Sequence, residues 1–423
     1  MQFLTIAASI VVARVAGPTV MGTVAWALAY VQMLGFIADL GLGTAHIKMI
    51  SEGKDLDKCI GTFIFLKLSA SFLYFLVFMG NYLFQKFILG NEFESQTHEY
   101  VVFISLGMLM LQDIQTIASS TFAGKTEQAK QDIPYMIRGI MFQIFRVVIV
   151  LLGGKAVALA FGNLAAGILI FPFYVYLFKK YPIGKFDKTL AKQYLKIAAP
   201  VLILGAATTL TNTIDKVLLQ EFADSEQVGY YTAGFRVGGF ILLISRSMSL
   251  LFFPMFSAAV AKGDFNYIKE KIFKFERFSF LFILPVVILI TLYAEDVVMI
   301  LLGDQYTPSI KIMAIVTVAL FLDVFNTPYG NVITGLGKFK LVAVISIANL
   351  MVYAGLLLFF LTNKELDHGS QGVAYSLLIV NTLVGITYRY FSTRATKVID
   401  NKMAIKFILY GILNYLICWY FFS

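Results

Sequence analysis

The sequence is poor in charged residues, which make up only 14% of its 423 positions. A soluble domain carries about 25%, whereas here 59% of the residues are hydrophobic and the mean hydropathy is +0.80. The chain also contains 40 Phe and 22 Tyr, and a soluble core of this size cannot enclose so much apolar surface. The composition therefore excludes a soluble globular protein and predicts an all-α polytopic membrane protein.

Cysteine and histidine are also scarce, with two and three residues. Cys59 and Cys418 lie far apart near the ends of apolar segments, which indicates packing rather than a disulfide framework or a metal site. His46 is placed in a cytoplasmic connection, and His98 and His368 each stand alone in a short outer loop. No GxxxxGK[ST] phosphate-binding loop occurs. We therefore predict that the chain is not an enzyme and holds no metal and no cofactor.

Long apolar segments fill most of the chain, and a spanning helix needs about 20 such residues. The predicted spans are residues 2–16, 20–42, 60–88, 99–123, 133–153, 156–178, 194–219, 228–258, 276–302, 308–334, 340–362, 371–392 and 403–422. The first is too short to cross, so we expect a misplaced start or a missing beginning. The last is expected as an extra terminal helix, which gives about 12–13 transmembrane helices.

Positive charge is distributed by topology, although the formal net charge is +9. Basic residues cluster at every second connection, and the connections between them are acidic or neutral. Because lysine and arginine are retained on the cytoplasmic side, this alternation predicts a cytoplasmic N-terminus and gives nucleic acid no role. The basic residues in question include Lys54, Lys58, Lys125, Lys130, Lys179, Lys180, Lys269, Lys271, Lys338, Arg389 and Arg394.

The longest basic connection, "KKYPIGKFDKTLAKQYLK", divides the chain near its middle. The predicted parts are an N-terminal lobe at 1–178 with a truncated first helix, a cytoplasmic linker at 179–193, a C-terminal lobe at 194–393 and an extra helix at 394–423. Weak internal similarity places Asp113, Thr116 and Ser120 opposite Asp323, Asn326 and Gly330. Six spans per half make the repeat parallel, and we expect the substrate site in a central cavity between the two lobes.

The stretch from Val11 to Ile50 contains "ARVAGPTVMG" followed by "ADLGLG". This order resembles the opening helices of the polysaccharide (O-antigen type) flippases of the multidrug/oligosaccharidyl-lipid/polysaccharide exporter superfamily. "NTIDKVLLQEF" followed by "VGYYTAGFRV" looks like the opening of the second lobe in the same family. The resemblance implies two six-helix lobes around a V-shaped cavity. It also implies that an Asp such as Asp215 is structural and leaves Arg236 open to substrate contact.

Basic side chains inside the predicted spans are candidates for substrate binding, because ionisable groups in hydrocarbon usually face a cavity or a partner. Arginine forms bidentate hydrogen bonds with phosphate and stays charged, which suits a lipid diphosphate. The alternative is that single arginines reach an interface or pair locally with acids. The candidates are Lys67, Arg138, Arg146, Arg236 and Arg246.

Acidic side chains inside the spans are candidates for H⁺ or Na⁺ coupling. These are Asp39, Asp113, Asp215 and Asp323. The alternative is an ion pair that orients helices, such as Asp215 with Lys216 or Arg236. For Asp39 and Asp215 we favour the ion pair because both lie near helix ends, while for Asp113 and Asp323 both interpretations stay open.

The predicted function is a flippase in the plasma (inner) membrane of a prokaryote. It moves a polyprenyl-diphosphate-linked oligosaccharide to the outer leaflet for O-antigen, capsule or exopolysaccharide assembly, by alternating access. Membrane lipids, a polysaccharide polymerase and a chain-length regulator are the other expected partners. One alternative is a multidrug/cation antiporter of the same fold, against which the excess of deep basic groups argues. The other is a membrane glycan polymerase, which needs larger outer loops than this chain has.

Overall fold

The computed structural model describes residues 2–90, 92–363 and 369–396. Every regular element within these ranges is a helix. The predicted terminal span at 403–422 and the side chain of Arg246 lie outside the described part of the chain. The helices of the first half are α1 Gln2–Met33, α2 Phe36–Asp39, α3 Leu42–Ser51, α4 Leu56–Phe87, α5 Gln96–Gly124, α6 Gln128–Leu151, α7 Ala156–Phe178 and α8 Lys188–Phe222.

The second half continues the same pattern. Its helices are α9 Ser225–Gly238, α10 Leu242–Ala261, α11 Phe265–Phe278, α12 Leu284–Leu292, α13 Ala294–Leu301, α14 Ser309–Gly335, α15 Phe339–Thr362 and α16 Gly369–Thr396. Among the described residues, 11 helical stretches are long and apolar enough to cross a membrane. This confirms the all-α polytopic membrane fold, because helices satisfy their own backbone groups where water is absent. The division into six and six spans stays a prediction.

The first long helix contains a sharp kink. Gly17 has φ 81° and ψ 170°, and Pro18 follows it inside α1. Positive φ suits glycine, and proline cannot donate the helical hydrogen bond. The turn that we predicted at Gly17-Pro18 is therefore confirmed as the kink between the short first segment and the one that follows.

One predicted span is shifted. We placed it at 276–302, whereas the helical stretch runs from Phe265 to Leu292 and α13 follows separately. The reason is that α11 is amphipathic. It buries Ile268, Ile272 and Phe275, while Lys269 and Lys274 are exposed. These charges lower the mean hydropathy of α11, so that the sequence pattern suggests a loop there.

The described chain divides into two compact units, the first ending at Gln220 and the second beginning at Glu221. In the first, Leu42, Phe63 and Tyr194 belong to one buried cluster. In the second, Phe256 and Phe325 belong to another. The predicted lobe boundaries around 179–193 stay a prediction.

The connection before α8 is fixed to the beginning of α4. The backbone N–H of Gly184 donates to the Asp57 carbonyl at 2.8 Å, and that of Asp187 to the Thr62 hydroxyl at 3.0 Å. Asp187 also caps α8, because its carboxylate accepts from the N–H groups of Leu190 and Thr189 at 3.1 and 2.7 Å. These two amides hold the pKa of Asp187 below its ordinary value. The first turn of α8 is thereby anchored within the first unit.

Candidate functional site

The helix that carries Asp39 is broken on both sides. After α2, Leu40 has φ 47° and Gly41 has φ 73° before α3 begins. A Cβ at Gly41 would lie 2.8 Å from the Ala198 carbonyl oxygen and 2.9 Å from the Val201 side chain. Glycine is therefore needed here both for its backbone conformation and for the close approach of α8. The break leaves the carbonyl group of Ala38 to be bonded from outside its own helix.

Lys67 bonds that carbonyl and two carboxylates. Its Nζ lies 2.9 Å from the Ala38 oxygen, 2.9 Å from Asp113 Oδ1 and 3.5 Å from Asp39 Oδ1. The Lys67 side chain is 1% exposed, while those of Asp113 and Asp39 are 19% and 54% exposed. The buried ammonium is thus compensated by acids. Binding of a phosphate by Lys67 would require this network to open, and the substrate-binding role predicted for Lys67 stays untested.

Asp113, Thr116 and Ser120 form a polar face of α5, and Thr116 and Ser120 lie against α3. A Cβ built at Gly43 would be 3.3 Å from Ser120 Oγ, 3.5 Å from Asp39 Oδ1 and 3.9 Å from Thr116 Cγ2. Ser71 extends the face by donating to Asp113 Oδ2 at 3.4 Å. The structure therefore brings Asp39, Asp113 and Lys67 together in one network around the helix break.

Arg138, on α6, has a different environment from Lys67. Its Nη2 donates to the Met108 sulfur and to Asn163 Oδ1, both at 3.4 Å. Its Nε is buried and has no hydrogen-bond partner among the described residues. Both recorded partners are neutral, and a buried N–H without a partner is costly. Arg138 is therefore a half-buried cation with hydrogen-bonding capacity left over.

Arg146, two turns further along α6, is 8% exposed. Its Nη1 donates to Gln143 Oε1 at 3.0 Å and to Ser9 Oγ at 3.3 Å, and its guanidinium lies 5.4 Å from the Phe142 ring centre. These contacts tie α6 to α1. Both arginines predicted on α6 are thus at least half-buried within the first unit.

Arg236, the basic candidate of α9, lies in the second unit and is exposed. Tyr306 interacts with it electrostatically. Arg246 lies on α10, and its side chain is outside the described residues. The predicted convergence of these arginines with those of α6 on one substrate stays a prediction.

Asp215 forms the ion pair that we favoured for it. Its carboxylate oxygens lie 3.0 and 3.1 Å from Lys216 Nζ, and the residue is 4% exposed. A carboxylate held by the adjacent lysine stabilises the local structure of α8. Its use as a coupling site would require Lys216 to move away.

Asp323, by contrast, lines a cavity of about 260 Å³ in the second unit. The cavity is formed by α10, α14 and α16, and Asn331, Asn381 and Tyr388 contribute to its wall. No hydrogen bond or ion pair of the Asp323 carboxylate occurs among the described side chains. Of the four acidic candidates, Asp323 is therefore the one whose carboxylate is exposed, lines a cavity and has no ion-pair partner among the described side chains.

A buried charge network beside this cavity escaped the sequence analysis. Arg389 Nη2 lies 2.9 Å from Glu276 Oε1, and its Nε donates to Asn326 Oδ1 at 3.0 Å. The Tyr329 hydroxyl donates to Glu276 Oε1 at 2.5 Å, and the Arg389 guanidinium lies 4.4 Å from the Tyr329 ring centre. We had assigned Arg389 to the loop charges. The missed signal is that Arg389 and Glu276 are opposite charges at the ends of two predicted spans.

A second buried group also differs from expectation. His46, expected in a cytoplasmic connection, is 0% exposed within α3. Its ring nitrogens lie 2.7 Å from the Tyr194 hydroxyl and 2.9 Å from the Thr121 hydroxyl, and its ring stacks on Phe63 at 3.9 Å. It therefore links α3, α4, α5 and α8 as a structural residue.

The fold resembles that of solved membrane transporters. An inward-facing multidrug resistance MATE transporter of the MOP superfamily superimposes with a TM-score of 0.77 at 14% identity, covering 94% of this chain and 95% of its own. The lipid II flippase MurJ in an inward closed conformation gives 0.75 at 15% identity, covering 99% and 90%. At such identities the similarity establishes the fold, here a multi-pass helical membrane protein of two units.

Sequence comparison then identifies the family. Residues 11–311 match the family described as "Polysaccharide biosynthesis protein", and the chain belongs to this family. A "Putative O-antigen transporter" of Shigella flexneri is 27% identical over 209 residues, which are 48% of each chain. The "Probable low-salt glycan biosynthesis flippase Agl15" of Haloferax volcanii is 24% identical over 362 residues, which are 82% of this chain and 73% of its own.

The resemblance to polysaccharide flippases of the exporter superfamily is thus confirmed. These two relatives are named as a transporter and a flippase rather than as enzymes, which supports the prediction that the chain is not an enzyme. The chain spans about half the length of the Shigella relative, 48%.

Proposed function

We propose that the protein moves a polyprenyl-diphosphate-linked oligosaccharide from the cytoplasmic to the outer leaflet of a prokaryotic plasma membrane. The observation that carries the proposal is the Arg138 guanidinium. It lies within an apolar span, its recorded hydrogen bonds go to neutral groups, and one buried N–H has no partner among the described residues. The family description and the names of the relatives support the same class of substrate.

A diphosphate is the part of such a substrate that resists crossing hydrocarbon, because the transfer of charge into a low-dielectric medium is costly. A guanidinium offers five N–H donors in a planar fork that matches phosphate oxygens. Arg138 supplies such a group on α6, and Arg146 and Arg236 are further proposed contacts. Lys67 is less suited, because two carboxylates already compensate its charge.

Transport is proposed to proceed by alternating access of the two lobes, with the N-terminus in the cytoplasm. The lipid-linked oligosaccharide and the surrounding lipids are the direct partners. A polysaccharide polymerase and a chain-length regulator would act on the product at the outer face. Of the predicted coupling acids, Asp39, Asp113 and Asp215 already contact lysines, which leaves Asp323 as the remaining candidate for binding H⁺ or Na⁺.

The test is reconstitution of the purified protein in liposomes. Fluorescent polyprenyl-diphosphate sugars and a cationic dye are offered separately, with and without an imposed H⁺ or Na⁺ gradient. The proposal expects protein-dependent movement of the diphosphate lipid between leaflets and no efflux of the dye. Dye efflux without lipid movement would refute it and establish the multidrug/cation antiporter.

A further inference from the structure

The cavity of the second unit has a chemistry that the proposed diphosphate contacts do not use. Its volume is about 260 Å³, and its wall combines the Asp323 carboxylate with hydroxyl and carboxamide side chains of three helices. All of these residues lie after Glu221, within one compact unit. The described lining residues include no lysine or arginine. Among these described lining residues, a diphosphate would therefore meet a carboxylate without a compensating cation.

The carboxamides of the wall present acceptors. The Nδ2 of Asn331 donates to the Thr327 carbonyl at 3.1 Å, and the Nδ2 of Asn381 donates to the Ala319 carbonyl at 3.0 Å. Each amide thus directs an N–H to a backbone oxygen, Asn331 Nδ2 also donates to Ser249 Oγ at 3.3 Å, and each Oδ1 remains an acceptor. With the two oxygens of Asp323, the cavity gains several acceptor positions.

The hydroxyl groups of the wall follow the same rule. Thr327 and Thr334 each donate to a backbone carbonyl four residues earlier, at 3.1 and 2.9 Å. Ser245 lies 2.7 Å from the Thr327 hydroxyl. A hydroxyl that donates to its own helix keeps lone pairs for another donor. The wall is therefore rich in acceptors, so that it suits a ligand with many O–H donors.

Size and shape narrow the choice of ligand. A water molecule occupies about 30 Å³ in the liquid, so the cavity has room for several groups rather than for one dehydrated ion. Gly330 and Gly385 leave the wall without side chains beside the Tyr388 ring. A Cβ at Gly330 would have a single neighbour, Tyr388 Cε2 at 4.0 Å. Aromatic rings beside acceptor groups suit a ring with an apolar face and hydroxyl edges.

The neighbouring charge network keeps this wall in place. Arg389 Nε donates to Asn326 Oδ1 at 3.0 Å, and Asn326 Nδ2 donates to the Leu322 carbonyl at 2.7 Å. Gly385 allows this approach, because a Cβ there would lie 2.0 Å from Asn326 Nδ2. Asn326 is thus fixed on both of its polar atoms and positions the turn of α14 that follows Asp323.

We propose that this cavity binds a neutral sugar unit, with the Asp323 carboxylate and the amide oxygens of Asn331 and Asn381 accepting hydrogen bonds from its hydroxyl groups. The inference deepens the proposed function, since the sugar would belong to the glycan of the lipid-linked substrate. It assigns recognition of the glycan to the second unit. A monovalent cation at Asp323 is the competing occupant, and the test is designed to distinguish the two.

The test is saturation-transfer-difference NMR on the purified protein in lipid nanodiscs. The probes are the methyl glycosides of glucose, galactose, mannose and N-acetylglucosamine, measured in buffers of potassium and of sodium salts. Two variants act on the cavity, because Gly330→Leu places a side chain in it where a Cβ would meet only Tyr388 Cε2 at 4.0 Å and Asp323→Asn removes the charge. Gly355→Leu is the matched control, since a Cβ at Gly355 meets nothing within 4 Å.

We expect saturation transfer to at least one glycoside in wild-type protein and in Gly355→Leu. Gly330→Leu should abolish it, and Asp323→Asn should weaken binding about tenfold, the effect of losing a hydrogen bond to a charged group. Equal signals in all variants, or no signal from any glycoside, would overturn the inference. Sodium binding that Asp323→Asn abolishes, without glycoside binding, would assign the cavity to the cation instead. Because no step requires translocation, failure here is distinguishable from failure of lipid flipping.

Discussion

The ammonium of Lys67 lies 2.9 Å from the carboxylate of Asp113, and the lysine side chain is 1% exposed. The same ammonium bonds the Ala38 carbonyl at the broken helix. One lysine thus joins α2, α4 and α5. Because a buried charge without its partner is strongly unfavourable, this contact predicts how the protein responds when either residue is replaced.

Replacing Lys67 by Met should destabilise the protein by about 3 kcal/mol, since Asp113 would lose its counter-charge. Combining Lys67→Met with Asp113→Leu should restore much of the stability. Unfolding in detergent, followed by thermal shift and by denaturant titration, measures both. The control is Lys48→Met, whose pair with Glu52 has side chains 56% and 46% exposed, and its effect should stay below about 1 kcal/mol. Equal losses of stability in Lys67→Met and Lys48→Met would contradict this role for Lys67.

Gly41 and Gly53 form a matched pair for testing the helix break. Both have positive φ, 73° and 76°, but only at Gly41 would a Cβ meet other atoms. Replacement by Ala should cost about 1 kcal/mol at either position through φ. Overpacking against α8 should add about 1–3 kcal/mol at Gly41. Thermal unfolding of the two variants measures the difference, and equal melting temperatures would show that α3 and α8 are not in close contact.

The contact of Glu276 with Arg389 predicts a second stability effect. Glu276 is 3% exposed, and Glu276→Ala would leave the guanidinium of Arg389 without its carboxylate. The expected loss is about 3 kcal/mol, whereas Glu276→Gln should lose less because its amide oxygen still accepts from Tyr329. Glu270→Ala, on the same helix but in an exposed pair with Lys274, serves as the control. The prediction fails if the Gln variant unfolds at the same temperature as the Ala variant.

The sequence predicted the class of fold because hydropathy and loop charge depend on local composition. The kink at Gly17 and the ion pair of Asp215 with Lys216 were also accessible, since each involves neighbouring residues. The partners of Lys67 and Arg389 could not be predicted from the sequence. Lys67 contacts Asp113 from another helix, and Arg389 meets Glu276 across more than a hundred positions. Such pairings depend on how helices pack, which apolar periodicity does not specify.

The same limit applies to the candidate site. All of the predicted basic residues were chosen because they are ionisable groups within spans, which does not distinguish Lys67 from Arg138. The structure separates them by their partners, because carboxylates surround Lys67 while a sulfur and an amide oxygen contact Arg138. The presence of neighbouring carboxylates, rather than position within a membrane span, therefore decides which basic side chain is suited to binding a phosphate.

The proposed function depends on the binding of the substrate diphosphate by Arg138. The most direct measurement is the initial rate at which the reconstituted protein moves a polyprenyl-diphosphate sugar between leaflets, compared for Arg138→Gln, Arg138→Lys and the control Arg394→Gln. Arg394 is a suitable control because it is exposed and, within the described part of the chain, its side chain hydrogen-bonds only the Tyr390 hydroxyl. Loss of a charge-assisted hydrogen bond predicts a rate about tenfold lower for Arg138→Gln, partial activity for Arg138→Lys and an unchanged rate for Arg394→Gln. Equal rates in wild type and Arg138→Gln, at equal protein insertion, would contradict the claim.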